Sequence, residues 1–337
     1  SICKDIALVH KNKKIIIVSS GAIALGSKYL KNKKNIRRLE DKQAAAAIGQ
    51  IELVNFWRSE LKKNKIDTAQ LLLTLNDSEV RRHYLNVRKT INALHKQNIV
   101  PIINENDTVA TEEIRFGDND RLAARVAQMI DADLLVLLSD VDGLYSENPQ
   151  KNQKAKKIKN VYKVDSNIEK MAGTNHSSLG SGGMSTKIWA AKICMNSGCS
   201  VVITNSKNKN SIRNISKLNS TWFHADKSPK SNRKQWLLNH LHPSGTIVID
   251  RGAILAIKNN KSLLPSGIIE IKGNFYRGDV ISIVNSENTK VGIGVTAYDS
   301  NDAKKIVGKN SKIIKDILGY EGRDELIHKD DLVKINL

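Results

Sequence analysis

The chain has 337 residues, 40% of them hydrophobic, which is more than one ordinary core holds and points to two domains. Its 54 Lys and Arg against 34 Asp and Glu give a formal net charge of +20, so a polyanionic partner must be weighed against simple lysine enrichment of loops. Aromatic residues at 4% argue against base stacking as the main activity, and three cysteines without a CxxC pair argue against a disulfide framework or zinc site.

The cysteine usage fits a reducing cytoplasm, and the opening residues are too polar for a signal peptide. No apolar run reaches the roughly 18 residues of a membrane span, so a soluble, cytoplasmic protein is expected. Runs such as Lys11–Lys14, Lys31–Lys34 and Lys207–Asn210 mix Lys with Asn in expected loops, and no helix face collects the charge.

In chain order, Ile15–Val18 is a β-branched run that suits a strand buried on both faces, leading into Ser19-Ser20-Gly21. Gln43–Lys62 is expected as a long helix, 70–74 as a strand, Ser78–Lys96 as a helix and Ile99–Ile103 as a strand. Thr108–Phe116 alternates about a turn like a hairpin. Asn119–Ile130 is helical, 134–138 a strand, Met184–Asn196 a helix and 201–203 a strand. This alternation predicts an α/β fold, a three-layer αβα sandwich with a mainly parallel sheet. Residues 226–234, with Pro229, look like a linker. Beyond Gly245, short strands at 246–250, 267–271, 279–284 and 291–295 with glycine turns predict a small β-barrel-like module. The expected division is 1–226, a linker at 227–243, and 244–337.

Four segments carry chemistry. Val18–Gly26 places small residues directly after a buried strand, where backbone N–H groups approach a ligand and a helix start favours an anion. A tight strand–helix turn explains the same glycines. Asn104-Glu105-Asn106-Asp107, with Gly117-Asp118-Asn119-Asp120, gathers acids and amides that can hold an ammonium group, bind Mg²⁺ or orient lysines. Ser139-Asp140-Val141-Asp142-Gly143 faintly suggests a calcium loop, but the further ligands of that motif are absent, so a nucleotide-contacting strand end is the better reading. Gly180–Lys187 resembles a P-loop in composition but not in order, because Ile188 follows the lysine. It reads as an anion nest: Gly182 and Gly183 expose amides, Ser181, Ser185 and Thr186 offer hydroxyls, and Lys187 a compact charge. Met184, Ile188, Ala191, Met195 and Trp189 are expected in the packing. His240 and His242 form an HxH without a third ligand, so no metal site is assigned.

Taken together, the order and spacing of these segments resemble the glutamate 5-kinase branch of the amino acid kinase family. The likeness includes Asp41–Gln50, Val100–Asp107 with Gly117–Asp120, and Gly182–Lys187. The later module, with Ser262–Gly267, Gly273–Asp279 and Ile317–Tyr320, looks like the PUA (RNA-binding-type) domain of the same enzymes. The resemblance implies L-glutamate as substrate, contacted by Ser20, Asp107 and Asn119. It implies ATP and Mg²⁺, with Ser139, Asp140 and the segment Ser181, Gly182, Gly183, Met184, Ser185, Thr186 and Lys187 on the nucleotide. Lys187 and Asp120 would be the catalytic pair, the acid orienting the lysine. It further implies proline biosynthesis, proline as feedback inhibitor at or over the glutamate site, a homo-oligomer, and RNA binding through the PUA module as an open question.

The chain departs from the family in two places. The family's pattern starts with a strand and a Lys-x-Gly-Ser loop carrying a second lysine, whereas Ser1 falls inside the first helix, so that strand is expected to be missing. Glu147-Asn148-Pro149 stands where the family has Ala-Asp-Pro. Two other readings stay open: an amino acid kinase acting on aspartate, acetylglutamate or carbamate, and an RNA-binding protein with a relic kinase domain.

Overall fold

The computed structural model describes residues 2–30, 38–74, 77–78, 81–109, 119–149, 152, 154–172, 183–217, 220–226 and 243–335. The chain forms two compact units, Ser1–Pro229 and Lys230–Leu337. The expected hairpin tip at 110–116, the HxH pair and the linker at 227–242 lie outside the described residues.

In the first unit, α1 (Ile2–His10) precedes β1 (Ile17–Val18), which is shorter than the four-residue apolar run that announces it. There follow α2 (Ala22–Gly26), α3 (Leu39–Lys62), β2 (Thr68–Leu73), α4 (Arg81–Lys96) and β3 (Val100–Glu105). Then come α5 (Asn119–Met129), β4 (Leu134–Ser139), β5 (Leu144–Tyr145), β6 (Lys157–Ile158), β7 (Asn160–Val161) and α6 (Ser166–Met171). The unit closes with α7 (Met184–Asn196), β8 (Ser200–Asn205) and β9 (Thr221–Phe223).

Strands β1, β3 and β2 pair in parallel with β3 in the middle. Every residue of β3 is buried, the apolar Val100–Ile103 as a strand covered on both faces requires and the polar Asn104 and Glu105 with them. Its alternation sorts the core. Ile102 joins Ile6 of α1 and Leu61 of α3 on one face, while Ile103 joins Ile91 of α4 and Leu122 and Val126 of α5 on the other. That is the expected three-layer sandwich.

A second piece of sheet runs β4-β8-β9-β7, with β4 and β8 parallel and β9 antiparallel to β8. Among the described residues β1 pairs only with β3 and β4 only with β8. Helix α5 links the two pieces: its Leu122 and Val126 enter the first core, and its Ala124 and Ala127 enter the second beside Ile188, Ala191 and Cys194 of α7. Met184, Trp189 and Met195 pack partly buried against that second core.

Helices α2 and α3 touch backbone to backbone. A Cβ on Gly26 would sit 1.8 Å from the Ala45 carbonyl oxygen, and one on Gly49 would sit 1.8 Å from that of Ala22. Gly26 and Gly49 sit where nothing larger fits, and Ala45 and Ala46 beside them on α3 are buried. This crossing fixes the loop Ser19-Ser20-Gly21 that leads into α2.

The second unit holds β10 (Thr246–Ile249), α8 (Arg251–Lys258), β11 (Ile268–Lys272), β12 (Val280–Val284), β13 (Lys290–Val295), α9 (Ser300–Ile306), α10 (Ile314–Leu318) and β14 (Leu332–Lys334). Its five-stranded sheet has the order β11-β10-β12-β13-β14, parallel only between β10 and β12. The three helices escape a reading that follows strand alternation alone. Asp250 starts α8 by accepting from the Ala253 N–H at 2.6 Å.

Candidate active site

The chemistry-bearing segments sit at the carboxyl ends of β1, β3, β4 and β8 and at the starts of α5 and α7, where open α/β sheets bind ligands. After β1, the Ser19 N–H donates to the Ile103 carbonyl at 2.9 Å, and Trp57 of α3 donates its indole N–H to Ser19 Oγ at 2.8 Å. Ser20 is exposed beside them, and Gly21 takes φ 108°, which glycine adopts without strain.

Strand β3 delivers Asn104, Glu105 and Asp107, all buried although polar. The Asn104 amide donates to Gln50 Oε1 of α3 at 2.7 Å, so Gln50 and Trp57, two helical turns apart, both brace this end of the sheet. Burial pushes the Asp107 carboxyl up to about 6. Asn119, the first residue of α5, has a buried Oδ1 without a hydrogen-bond partner among the described residues. An acid and an amide acceptor of this kind suit a ligand that brings its own donors, such as an ammonium group.

The centre of the site is where α5 meets α7. Lys187 Nζ lies 2.9 Å from Asp120 Oδ2, and the Thr186 hydroxyl lies 2.8 Å from the same oxygen. Both charged side chains are largely buried, Lys187 at 9% and Asp120 at 16% exposure, so their attraction is poorly screened. Next to this pair, Arg121 and Arg125 of α5 flank the Trp189 ring, with guanidinium carbons 5.1 and 5.7 Å from its centroid. Trp189 therefore packs, as expected, and also ties the two helices together.

Ser139 and Asp140 end β4. The Asn205 amide donates to the Asp140 carbonyl at 3.0 Å, and the Ser206 N–H donates to the Ser139 carbonyl at 2.8 Å. Asp140 is exposed, and its Oδ1 accepts from Ser139 Oγ at 3.1 Å. Asp142 is instead turned inward to Lys157 Nζ at 2.8 Å and the Tyr145 hydroxyl at 2.9 Å. Burial opposes its ionisation, but these hydrogen bonds outweigh burial and hold the carboxyl below its ordinary range. Asp142 is thus a structural partner of the loop, and the calcium-loop reading has no support.

Gly183 precedes α7, and Met184 and Ser185 form its first turn. Ser181 and Gly182 lie outside the described residues. Among the described residues no three His, Cys, Asp or Glu side chains gather as a metal site, and no helix is long and apolar enough to cross a membrane.

Residues 1–205 match the Amino acid kinase family, and residues 245–318 match the PUA domain. Over 335 residues the chain is 48% identical to glutamate 5-kinase of Paramagnetospirillum magneticum, covering 99% of this chain and 90% of that one. It is 48% identical to the enzyme of Sinorhizobium fredii and 49% identical to that of Agrobacterium fabrum, covering 99% of this chain and 85% and 86% of theirs.

Proposed function

We propose that this chain, which belongs to the glutamate 5-kinases of the amino acid kinase family, transfers the γ-phosphoryl group of ATP to the side-chain carboxylate of L-glutamate, the first step of proline biosynthesis. The observation that carries the proposal is the buried Lys187–Asp120 pair at the joined starts of α7 and α5, with Asn119 next to Asp120 in the chain.

A carboxylate at neutral pH is already a nucleophile. The site therefore needs no general base, and catalysis reduces to alignment and charge neutralisation. Ser20, Asp107 and Asn119 hold glutamate, the two acceptors taking its ammonium group. Ser139, Asp140 and the segment 181–185 hold the nucleotide, whose phosphates accept hydrogen bonds from backbone amides around Gly183. Lys187 then neutralises the charge that develops on the phosphoryl group in flight. Mg²⁺ needs only one or two protein carboxylates when phosphates and water complete its shell. When bound, it would supply charge neutralisation on the phosphates, and Asp140, exposed at the end of β4, would be a carboxylate within the nucleotide site available to it.

The same pocket would take proline as a competing amino acid, and a homo-oligomer and a cytoplasmic location complete the reading. The two-domain division belongs to it as well, with residues 244–337 as a PUA domain separate from the kinase. The test is steady-state ADP release with ATP, Mg²⁺ and either glutamate, aspartate or acetylglutamate in the full-length protein. Glutamate should support turnover and aspartate should substitute poorly. Equal turnover of all three would remove the assigned substrate.

A further inference from the structure

We infer that Thr186 is a positioning residue of this reaction, holding the Asp120 carboxylate in place while Lys187 leaves it for the transferred phosphoryl group. The inference rests on the reaction proposed above and deepens it. It also changes the part that Thr186 plays in the anion nest.

The geometry is specific. Thr186 is the third residue of α7, and its Oγ1 lies 2.8 Å from the Gly183 carbonyl oxygen and 2.8 Å from Asp120 Oδ2. A β-branched side chain in a helix has few rotamers open to it, and here the turn below fixes the hydroxyl between these two acceptors. The hydroxyl has one proton, and the carboxylate is the stronger acceptor. Nucleotide phosphates offer acceptors only, so a hydroxyl whose proton is already given to Asp120 has nothing to donate to them.

Lys187 uses the same Oδ2, at 2.9 Å. To face a phosphoryl group it must weaken that bond, and a largely buried carboxylate that loses a donor is costly. Thr186 keeps one donor on Oδ2 throughout. Asp120 then stays in place, and Lys187 moves between the carboxylate and the phosphoryl group without leaving either uncompensated. Among the described residues the hydrogen bonds of the Thr186 hydroxyl go to Asp120 and Gly183, and neither gives it another task.

The experiment compares Thr186→Val, Thr186→Ala, Thr186→Ser, Lys187→Ala and the Thr186→Val/Lys187→Ala double variant in the full-length protein, each checked by circular dichroism and thermal melting. Loss of a hydrogen bond to a charged group should lower kcat about ten- to a hundredfold in the Val and Ala variants, with KM for ATP within about twofold of the parent. Thr186→Ser should recover most of the loss. The double variant should be no slower than Lys187→Ala, because a positioned acid has no use once the lysine is gone. A raised KM for ATP with kcat intact would make Thr186 a nucleotide contact and overturn the inference. So would unchanged kinetics, failure of Ser to rescue, or a full further loss in the double variant. If Lys187→Ala keeps its turnover, the proposed machinery itself has failed, whatever Thr186 does. Should Thr186→Val not fold, the Ala and Ser pair decides the question.

Discussion

Lys187 and Asp107 are the two residues at which burial makes the sharpest chemistry. In the proposed reaction Lys187, at 9% exposure, would face the transferred phosphoryl group and stabilise the transition state more than the bound substrates. Lys187→Ala should therefore lower kcat by about 10²–10³ and leave KM for glutamate little changed, as read from steady-state kinetics. Asp107 gives a pH signature. Its carboxyl, raised to about 6 by burial, is protonated in the empty site below that pH, and a substrate ammonium needs it ionised. KM for glutamate should hold steady above pH 6 and rise about tenfold per unit well below it, a slope that Asp107→Asn removes while weakening binding throughout. The sign for stability is the reverse. Because the folded state favours the protonated form, the contribution is full below the ordinary carboxylate range and is lost as pH rises through about 6. A KM profile flat from pH 5 to 8 would separate Asp107 from the substrate.

Helices α2 and α3 show how an element carries the site without touching ligand. Their crossing leaves no room for a methyl group at Gly26 or Gly49, since the added atom would meet backbone 1.8 Å away. Gly49→Ala should cost more than the roughly 1–3 kcal/mol of ordinary overpacking, because the obstacle is backbone rather than a side chain that can turn. A urea melt of unaltered midpoint would show that the helices can separate freely. Elements were legible in the sequence where they repeat on their own period. Helix α7 begins and ends where its pattern does, and β3 is as buried as its apolar run requires. The short strands β7 and β9 were not legible, because their pairing partners lie far along the chain. The site divides in the same way. Ser20, Asp107, Asn119, Asp120 and Lys187 stand in compact motifs that a reader can find. The contacts that hold them do not, since Trp57 reaches Ser19 across 38 residues, Gln50 reaches Asn104 across 54 and Thr186 reaches Asp120 across 66. A helical face pairing Gln50 with Trp57 was the one available signal, and it cannot name their partners.

At the scale of the whole molecule, each of the two units has its own core, with Ile247, Ile257, Ile281 and Ile283 among the residues of the second. A chain ending at Asp226 should therefore keep a folded kinase unit with a cooperative thermal transition, measured by circular dichroism against the full-length protein. Outright unfolding would show that the second unit supports the first. The net charge of +20 spreads along the whole sequence, which fits loop lysines better than a dedicated nucleic-acid face. The measurement that tests the central claim most directly traps the product. A carboxyl phosphate reacts with hydroxylamine to give a hydroxamate, so full-length protein with ATP, Mg²⁺, hydroxylamine and glutamate should form the glutamyl hydroxamate in step with ADP. Lys187→Ala should suppress both together. ADP release without hydroxamate, or a hydroxamate yield from aspartate equal to that from glutamate, would contradict transfer to the glutamate side chain.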